Sequence, residues 1–261
     1  MTLLPFFQVD AFAAKPFEGN PAAVMPLTEW LPDEVLQAIA AENNLSETAF
    51  TVPSQADDAD YDLRWFTPTV EVDLCGHATL ASANILLEGA AIRFSTRAGI
   101  LTVTRDEGRL ALDLPAYPVE AGTELGLLAA LGLPADTPTF LSRGGNGAAI
   151  ALLADEAAVR AVAPDFPALR TIDRLVIVTA PGNRTAIASR VFAAYHGIDE
   201  DPVTGSAHAA LVPFWAERLG RHHFTALQAS RRGGHLDCEH RGDRIILGGT
   251  CVTVIEGFFQ L

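Results

Sequence analysis

The sequence predicts an α+β protein of two pseudo-symmetric lobes, each a curled mixed or antiparallel sheet wrapped round a central buried helix. Three observations lead there. Short alternating or β-branched runs recur along all 261 residues, with nothing longer than a loop between elements. Residues 76–88 (GHATLASANILLE) and 205–218 (GSAHAALVPFWAER) are small or apolar on nearly every face, and a helix apolar all round is buried all round. These segments also match each other: Cys75-Gly76-His77-Ala78-Thr79 aligns with Thr204-Gly205-Ser206-Ala207-His208 at an offset of 129 residues, close to half the chain. A period that long points to duplication of a whole domain. The boundary is expected within 115–122. The first lobe is then 1–117, with a C-terminal strand at about 249–261 packing back on it, and the second is 118–248.

Taken in order, residues 6–12 are strand-like. Residues 32–42 read as a helix, with Val35, Leu36, Ile39 and Ala40 at three-to-four spacing and Asp33 and Glu34 in the first turn, where the helix dipole favours acids. Residues 46–52 and 61–66 alternate as strands do. Asp106-Glu107-Gly108 separates 100–105 from 109–114, and Arg241-Gly242-Asp243 separates 235–240 from 244–247; both are hairpin signals. Gly144-Gly145-Asn146-Gly147 lacks the full dinucleotide fingerprint and reads as a turn.

Composition narrows the function. With 32 acidic and 18 basic side chains the formal charge is −14, which argues against nucleic acid and anionic membrane surfaces as partners. The 49% of hydrophobic residues excludes disorder. Lys15, in Ala14-Lys15-Pro16, is the sole lysine. A Walker phosphate loop and a pyridoxal-phosphate Schiff base both need a lysine in a different setting, so both classes fall away. Cys75, Cys238 and Cys251 form an odd set without paired spacing. Residues 1–7 lack the pattern of a signal peptide, and no run is long enough for a membrane span. A reducing cytoplasm is the expected setting.

The repeated turns suggest the chemistry. In each, a glycine opens a helix straight after a strand-to-turn segment, and the first helical turn leaves backbone N–H groups unpaired at the positive end of the dipole. Such an end binds a carboxylate without any lysine. Gly76 and Gly205 allow close approach of a ligand, and two ends opposed across an inter-lobe cleft would hold a small carboxylate.

Glu47, in Asn44-Leu45-Ser46-Glu47-Thr48-Ala49-Phe50, is the candidate proton-transfer group. Alternation sets it on one strand face with Ala49 and Thr51, while Ser46, Thr48, Phe50 and Val52 take the other. A carboxylate among small side chains reaches into a cavity and suits general acid/base work. His77 is a candidate donor to a carboxylate. Asp201 either caps the second helix or meets an amine on a ligand.

Other constellations are weak. A racemase with two thiols needs a cysteine at both helix starts, and the second copy has Thr204 where the first has Cys75. In His235-x-x-Cys238-x-His240 the first histidine lies on the opposite strand face, so no metal site is expected. No Gly-x-Ser-x-Gly elbow occurs.

In order along the chain, Phe7-Gln8-Val9-Asp10-Ala11-Phe12 with Phe17-Glu18-Gly19-Asn20-Pro21-Ala22-Ala23-Val24, then Asn44 to Phe50, Arg64-Trp65-Phe66-Thr67-Pro68, Leu74 to Ala81 and Asp201 to His208 resemble signatures of the PhzF-like phenazine-biosynthesis family. That family is similar in fold to diaminopimelate epimerase, with two lobes and the site between them. The resemblance implies an isomerase free of metal and cofactor. The family's founding enzyme isomerises trans-2,3-dihydro-3-hydroxyanthranilate, and its general acid/base glutamate falls on Glu47. Its glycine-histidine pair falls on Gly76 and His77, its aspartate on Asp201, and its glycine-serine pair on Gly205 and Ser206. Asn20 matches the glycine-asparagine turn as a ligand contact, Cys75 reads as a packed or relic thiol rather than a base, and a homodimer is the family default. Family membership leaves the substrate open. The competing readings are a non-catalytic protein that binds small carboxylates and an epimerase using Glu47 with Cys75.

Overall fold

The alternating runs fold as strands, and the two small-residue segments as helices. The computed structural model describes residues 2–144 and 147–261, so Gly145 and Asn146 of the expected turn lie outside the described residues. The chain divides into two units: one runs up to Asp113 and includes Gly248–Leu261, and the other is Leu114–Leu247.

The first unit contains β1 (Leu3–Ala11), β2 (Asn20–Pro26), α1 (Asp33–Asn43), β3 (Glu47–Pro53), β4 (Tyr61–Phe66), β5 (Glu71–Val72), α2 (Gly76–Leu86), β6 (Ala91–Thr96), β7 (Gly99–Asp106) and most of β8 (Arg109–Pro115). In the second follow β9 (Val119–Ala121), α3 (Leu127–Ala130), β10 (Thr139–Ser142), β11 (Ala148–Leu152), α4 (Glu156–Ala161), α5 (Phe166–Leu169), β12 (Leu175–Pro181), β13 (Ile187–Ala193), β14 (Ile198–Asp201), α6 (Gly205–Leu219), β15 (His223–Gln228), β16 (Gly234–Arg241) and most of β17 (Arg244–Gly249). The chain ends with β18 (Cys251–Gln260), which returns to the first unit.

Within the first unit β18, β1, β2, β3, β4, β6 and β7 pair in that order. The β2–β3 and β4–β6 pairs are parallel and the rest antiparallel. Helix α2 touches β18, β1, β2, β3 and β7. In a flat sheet β18 and β7 would stand roughly 29 Å apart at about 4.8 Å per strand, more than twice the ~10–12 Å width of a helix. The sheet therefore curls round α2. Residues Gly76 to Ala83 of this helix are all buried. Its hydroxyls add no unmet polar group, because Thr79 donates to the Cys75 carbonyl at 2.6 Å and Ser82 to the Ala78 carbonyl at 2.8 Å. The opposite face of the sheet carries α1, whose Leu36, Ile39 and Ala40 pack with Met25, Phe50, Val52 and Phe66.

The second unit repeats the pattern. β9, β10, β11, β12, β13, β15 and β16 pair in order, with β11–β12 and β13–β15 parallel. Helix α6 touches β9 and β16, the two ends of that series, and Trp215 Nε1 donates to Thr179 Oγ1 on β12 at 3.0 Å. This sheet too curls round its helix. Residues from α3, α4 and α5 cover its other face over Ala149, Val176, Val178 and Phe192. Pro213 inside α6 has no N–H for the Ala209 carbonyl, and Tyr117 N–H takes that carbonyl at 2.9 Å. Corresponding elements open at Asn20 and Ala148, Glu47 and Leu175, and Gly76 and Gly205, offsets of 128, 128 and 129 residues.

Among the strands that alternation does not reveal are three central ones. β2, β11 and β12 are covered on both faces, so their sequences (NPAAVMP, AAIAL, LVIVTAP) carry little alternation to read. β1 starts at Leu3 rather than at 6, because Leu3 pairs with Gln260 at the far end of the chain.

Gly19 closes the loop between β1 and β2 at φ +66°, and a Cβ there would lie 2.1 Å from the Ala11 carbonyl oxygen. The expected outcome for Gly19→Ala is a loss of about 3 kcal/mol or more in urea unfolding, combining backbone strain with a contact on rigid main chain. A loss under about 1 kcal/mol would show that the loop gives way.

Candidate active site

Glu47 opens β3, three residues beyond Asn44, which ends α1 in the left-handed conformation at φ 49°. Alternation along β3 then settles which way it faces. Thr48 takes a hydrogen bond from Asn43 Nδ2 at 3.1 Å and Phe50 packs on α1, so Glu47 belongs to the face toward α2. His77, in the first turn of α2, meets it there: His77 Nε2 lies 3.1 Å from Glu47 Oε2, the histidine side chain 4% and the glutamate 12% exposed. The two atoms approach without an aligned hydrogen bond.

The other ring nitrogen is also engaged. Asn20 Nδ2, at the start of β2, is 3.2 Å from His77 Nδ1, and Cys75 Sγ is 3.5 Å from the same nitrogen. Ser46 Oγ donates to Asn20 Oδ1 at 3.2 Å. Alternation sets Ser46 with Thr48 on the outer face, but β3 starts only at Glu47, so that rule does not extend back to Ser46. Ser46 thus joins the site, and the sequence carries no signal that it should.

Burial opposes a second proton on His77. A Cys75 thiolate and the Glu47 carboxylate together would hold the pKa above the ordinary histidine value, but the thiolate's share, the larger one, is missing while the sulfur keeps its proton. Burial, reinforced by the Glu47 charge, pushes the Cys75 thiol up to about 11. At neutral pH Cys75 is therefore a thiol, a poor nucleophile and a poor base. Glu47, Cys75 and His77 form the single group, among the described residues, that brings three potential metal-ligand atoms within 4.8 Å. Nδ1 is already engaged, Nε2 faces a carboxylate and the sulfur is protonated, so this donor set is poorly suited to an ion. His235, Cys238 and His240 make no such group.

In the second unit Asp201, Gly205 and Ser206 share one turn. The Thr204 hydroxyl donates to Asp201 Oδ2. Gln228, fully buried on β15, donates from Nε2 to the Asp201 carbonyl at 2.7 Å and to Thr204 Oγ1 at 3.2 Å, and its Oε1 accepts from Thr204 N–H at 2.9 Å. Gln228 is a residue that sequence reasoning missed, because its partners are 24 and 27 residues away. Asp201 is 8% exposed and Ser206 half-buried. One turn further on, His208 is fully buried with Nδ1 2.8 Å from the Thr204 carbonyl, and Nε2 has no hydrogen-bond partner. Burial holds its pKa down to about 4 against that bond.

The structure thus gathers Asn20, Glu47, Gly76 and His77 in the first unit and Asp201, Gly205 and Ser206 in the second. The family signature Arg64 to Pro68 is structural at its first residue: Arg64 pairs with Glu71 at 2.7 Å and with Asp33 at 2.9 Å.

Two expectations follow. Cys75 should resist DTNB in the native protein at pH 8 and react once the chain unfolds; a fast native thiol that disappears in C75S would contradict the buried setting. His208 is neutral in the fold and binds its proton more readily once unfolded. Its stabilising contribution is whole above about pH 6.5 and is lost as pH falls toward 4, by roughly 3 kcal/mol. Urea midpoints should fall across that window, and less steeply in H208Q.

The phenazine biosynthesis-like protein family model matches residues 9–257. An uncharacterized isomerase of Pseudomonas aeruginosa is 49% identical over 265 residues, covering 99% of each chain. A crystal structure of a PhzF-family phenazine biosynthesis protein from Enterococcus faecalis superposes with a TM-score of 0.91 at 44% identity, covering 100% of both chains. A hydroxyproline epimerase from Agrobacterium vitis gives a TM-score of 0.63 at 14% identity over 98% of this chain and 92% of its own, a likeness of fold alone. Among the described residues, no helix is long and apolar enough to cross a membrane.

Proposed function

Because the chain belongs to the phenazine biosynthesis-like (PhzF) family, which includes proteins called isomerases, we propose that it moves a proton within a small carboxylic acid without metal or cofactor. The observation that carries this reading is a single carboxylate, Glu47, 3.1 Å from His77 Nε2 at the N-terminal turn of a helix buried on every face.

In this reading Glu47 takes a proton from a carbon beside an unsaturated, carboxylate-bearing system. The electron pair of the broken C–H bond spreads into that system, and the protonated Glu47 returns the proton at a second carbon of the same molecule. His77 restrains one carboxylate oxygen, leaving the other for transfer. Backbone N–H groups at the start of α2, which have no intrahelical acceptor, hold the substrate carboxylate and the charge that develops on it. Gly205 and Ser206 act in the same way on the anion, and Asp201 orients an amino or hydroxyl group. The expected partners are the small carboxylate and a second copy of the chain.

A second reading, an epimerase with Glu47 and Cys75 as its two bases, draws on the nearness of the sulfur to His77. A thiol pushed up to about 11 speaks against it.

A panel of small amino and hydroxy acids, screened for thermal protection and then for deuterium uptake from D2O, tests both. With a ligand that exchanges in the parent, E47Q should lose about 10²–10⁴-fold in uptake while still being protected by that ligand. C75S should stay active. Unchanged exchange in E47Q would remove Glu47 from the chemistry, an inactive but folded C75S would favour the epimerase, and protection without any exchange would indicate a binding protein.

A further inference from the structure

Asn20 reads from sequence as a ligand contact, yet its amide nitrogen lies 3.2 Å from His77 Nδ1, inside the protein and fully buried. A donor at that place needs a lone pair on Nδ1. Ser46 fixes the orientation of the amide by donating to Oδ1 at 3.2 Å, which directs Nδ2 toward the ring. Cys75, a thiol at neutral pH, brings a second potential donor within 3.5 Å of the same nitrogen. A proton on Nδ1 would therefore meet donors until the Asn20 amide turned over and the Ser46 hydroxyl rotated with it.

We propose that Asn20, oriented by Ser46, is a positioning residue that keeps Nδ1 of His77 unprotonated, so that the single ring proton sits on Nε2 and faces Glu47. The titratable groups that act on the ring are Glu47 from β3 and Cys75 from the turn before α2. Glu47 draws a proton toward Nε2, while uncharged Asn20 on β2 and Ser46 just before β3 resist a second one at Nδ1. A neutral donor at Nε2 restrains Glu47 at one oxygen and leaves the other open, the arrangement in which a base can wait for substrate. Turnover of the amide would convert the ring to imidazolium, so the Ser46–Asn20 pair controls the charge that His77 lends to the site.

The inference rests on reading Glu47 as the proton-transfer group, but its test observes the ring without substrate, so either idea can fail alone. In 15N-labelled protein at pH 7.5, two-bond 1H–15N spectra identify the His77 signals by their absence in H77Q. Nδ1 is expected to resonate as an unprotonated, hydrogen-bonded nitrogen and Nε2 as a protonated one. In N20D a carboxylate replaces the donor, so both nitrogens should be protonated and the titration midpoint of the ring should rise by about one pH unit or more. S46A frees the amide to turn and should raise the midpoint by less. A parent protein with Nδ1 protonated at pH 7.5, or a folded N20D whose ring titrates as the parent does, would overturn the proposal. The measurement on the parent decides even if N20D fails to fold.

Discussion

A helix that must hide every face constrains everything around it. α2 offers no polar stripe to water, so the strands have to close over it on all sides. Closing over it forces a sheet in which β18 and β7, separated by five strands, both reach the same helix. The site follows directly, because the first turn of α2 then lies inside the protein against the starts of β2 and β3. Residues 57 apart in sequence, Asn20 and His77, meet there. The proposed chemistry would then be seated on helix and strand rather than on loops, which suits a reaction that depends on the position of one oxygen.

That interior would be hostile to an isolated charge, and the neighbours of Glu47 answer the difficulty. His77 gives its carboxylate a polar partner, and the open amides of α2 add a positive end at the same place. The side chains nearest the pair, on Asn20, Ser46 and Cys75, are uncharged at neutral pH. In the proposed reading, a chain of net charge −14 with one lysine makes its anion-binding environment from main-chain dipoles and one imidazole. Cys75 illustrates the other side of burial, since the same low polarity that sharpens the Glu47–His77 contact keeps the thiol protonated.

Duplication has given both units one topology and different chemistry. Leu175 opens β12 where Glu47 opens β3, and Thr204 and Ser206 stand where Cys75 and His77 stand. The second copy spends its polar residues on holding its own turn, through Asp201, Thr204 and Gln228. It also buries His208, whose Nδ1 meets the Thr204 carbonyl and whose Nε2 meets no partner, whereas His77 in the first copy has a polar side chain within 3.2 Å of each ring nitrogen.

The sequence by itself determined the architecture, because its signals are local or periodic. All-round apolarity marked α2 and α6, the repeated glycine turn marked the duplication, and alternation grouped Glu47 with Ala49 and Thr51 on one face of β3. The hairpin strands β7, β8, β16 and β17 were legible because one face of each meets water. β2, β11 and β12 were not, since burial on both faces erases the alternation that would announce them, whereas β3, nearly as buried, was still legible from its residue pattern. Tertiary structure alone decided which polar groups touch. Nothing in the spacing of Asn20, Ser46 and His77 says that they form one chain of contacts, and Gln228 carries no mark of its attachment to Asp201 and Thr204. Such contacts depend on a distance of about 3 Å between residues brought together by folding, and no pattern along the chain encodes a distance across it.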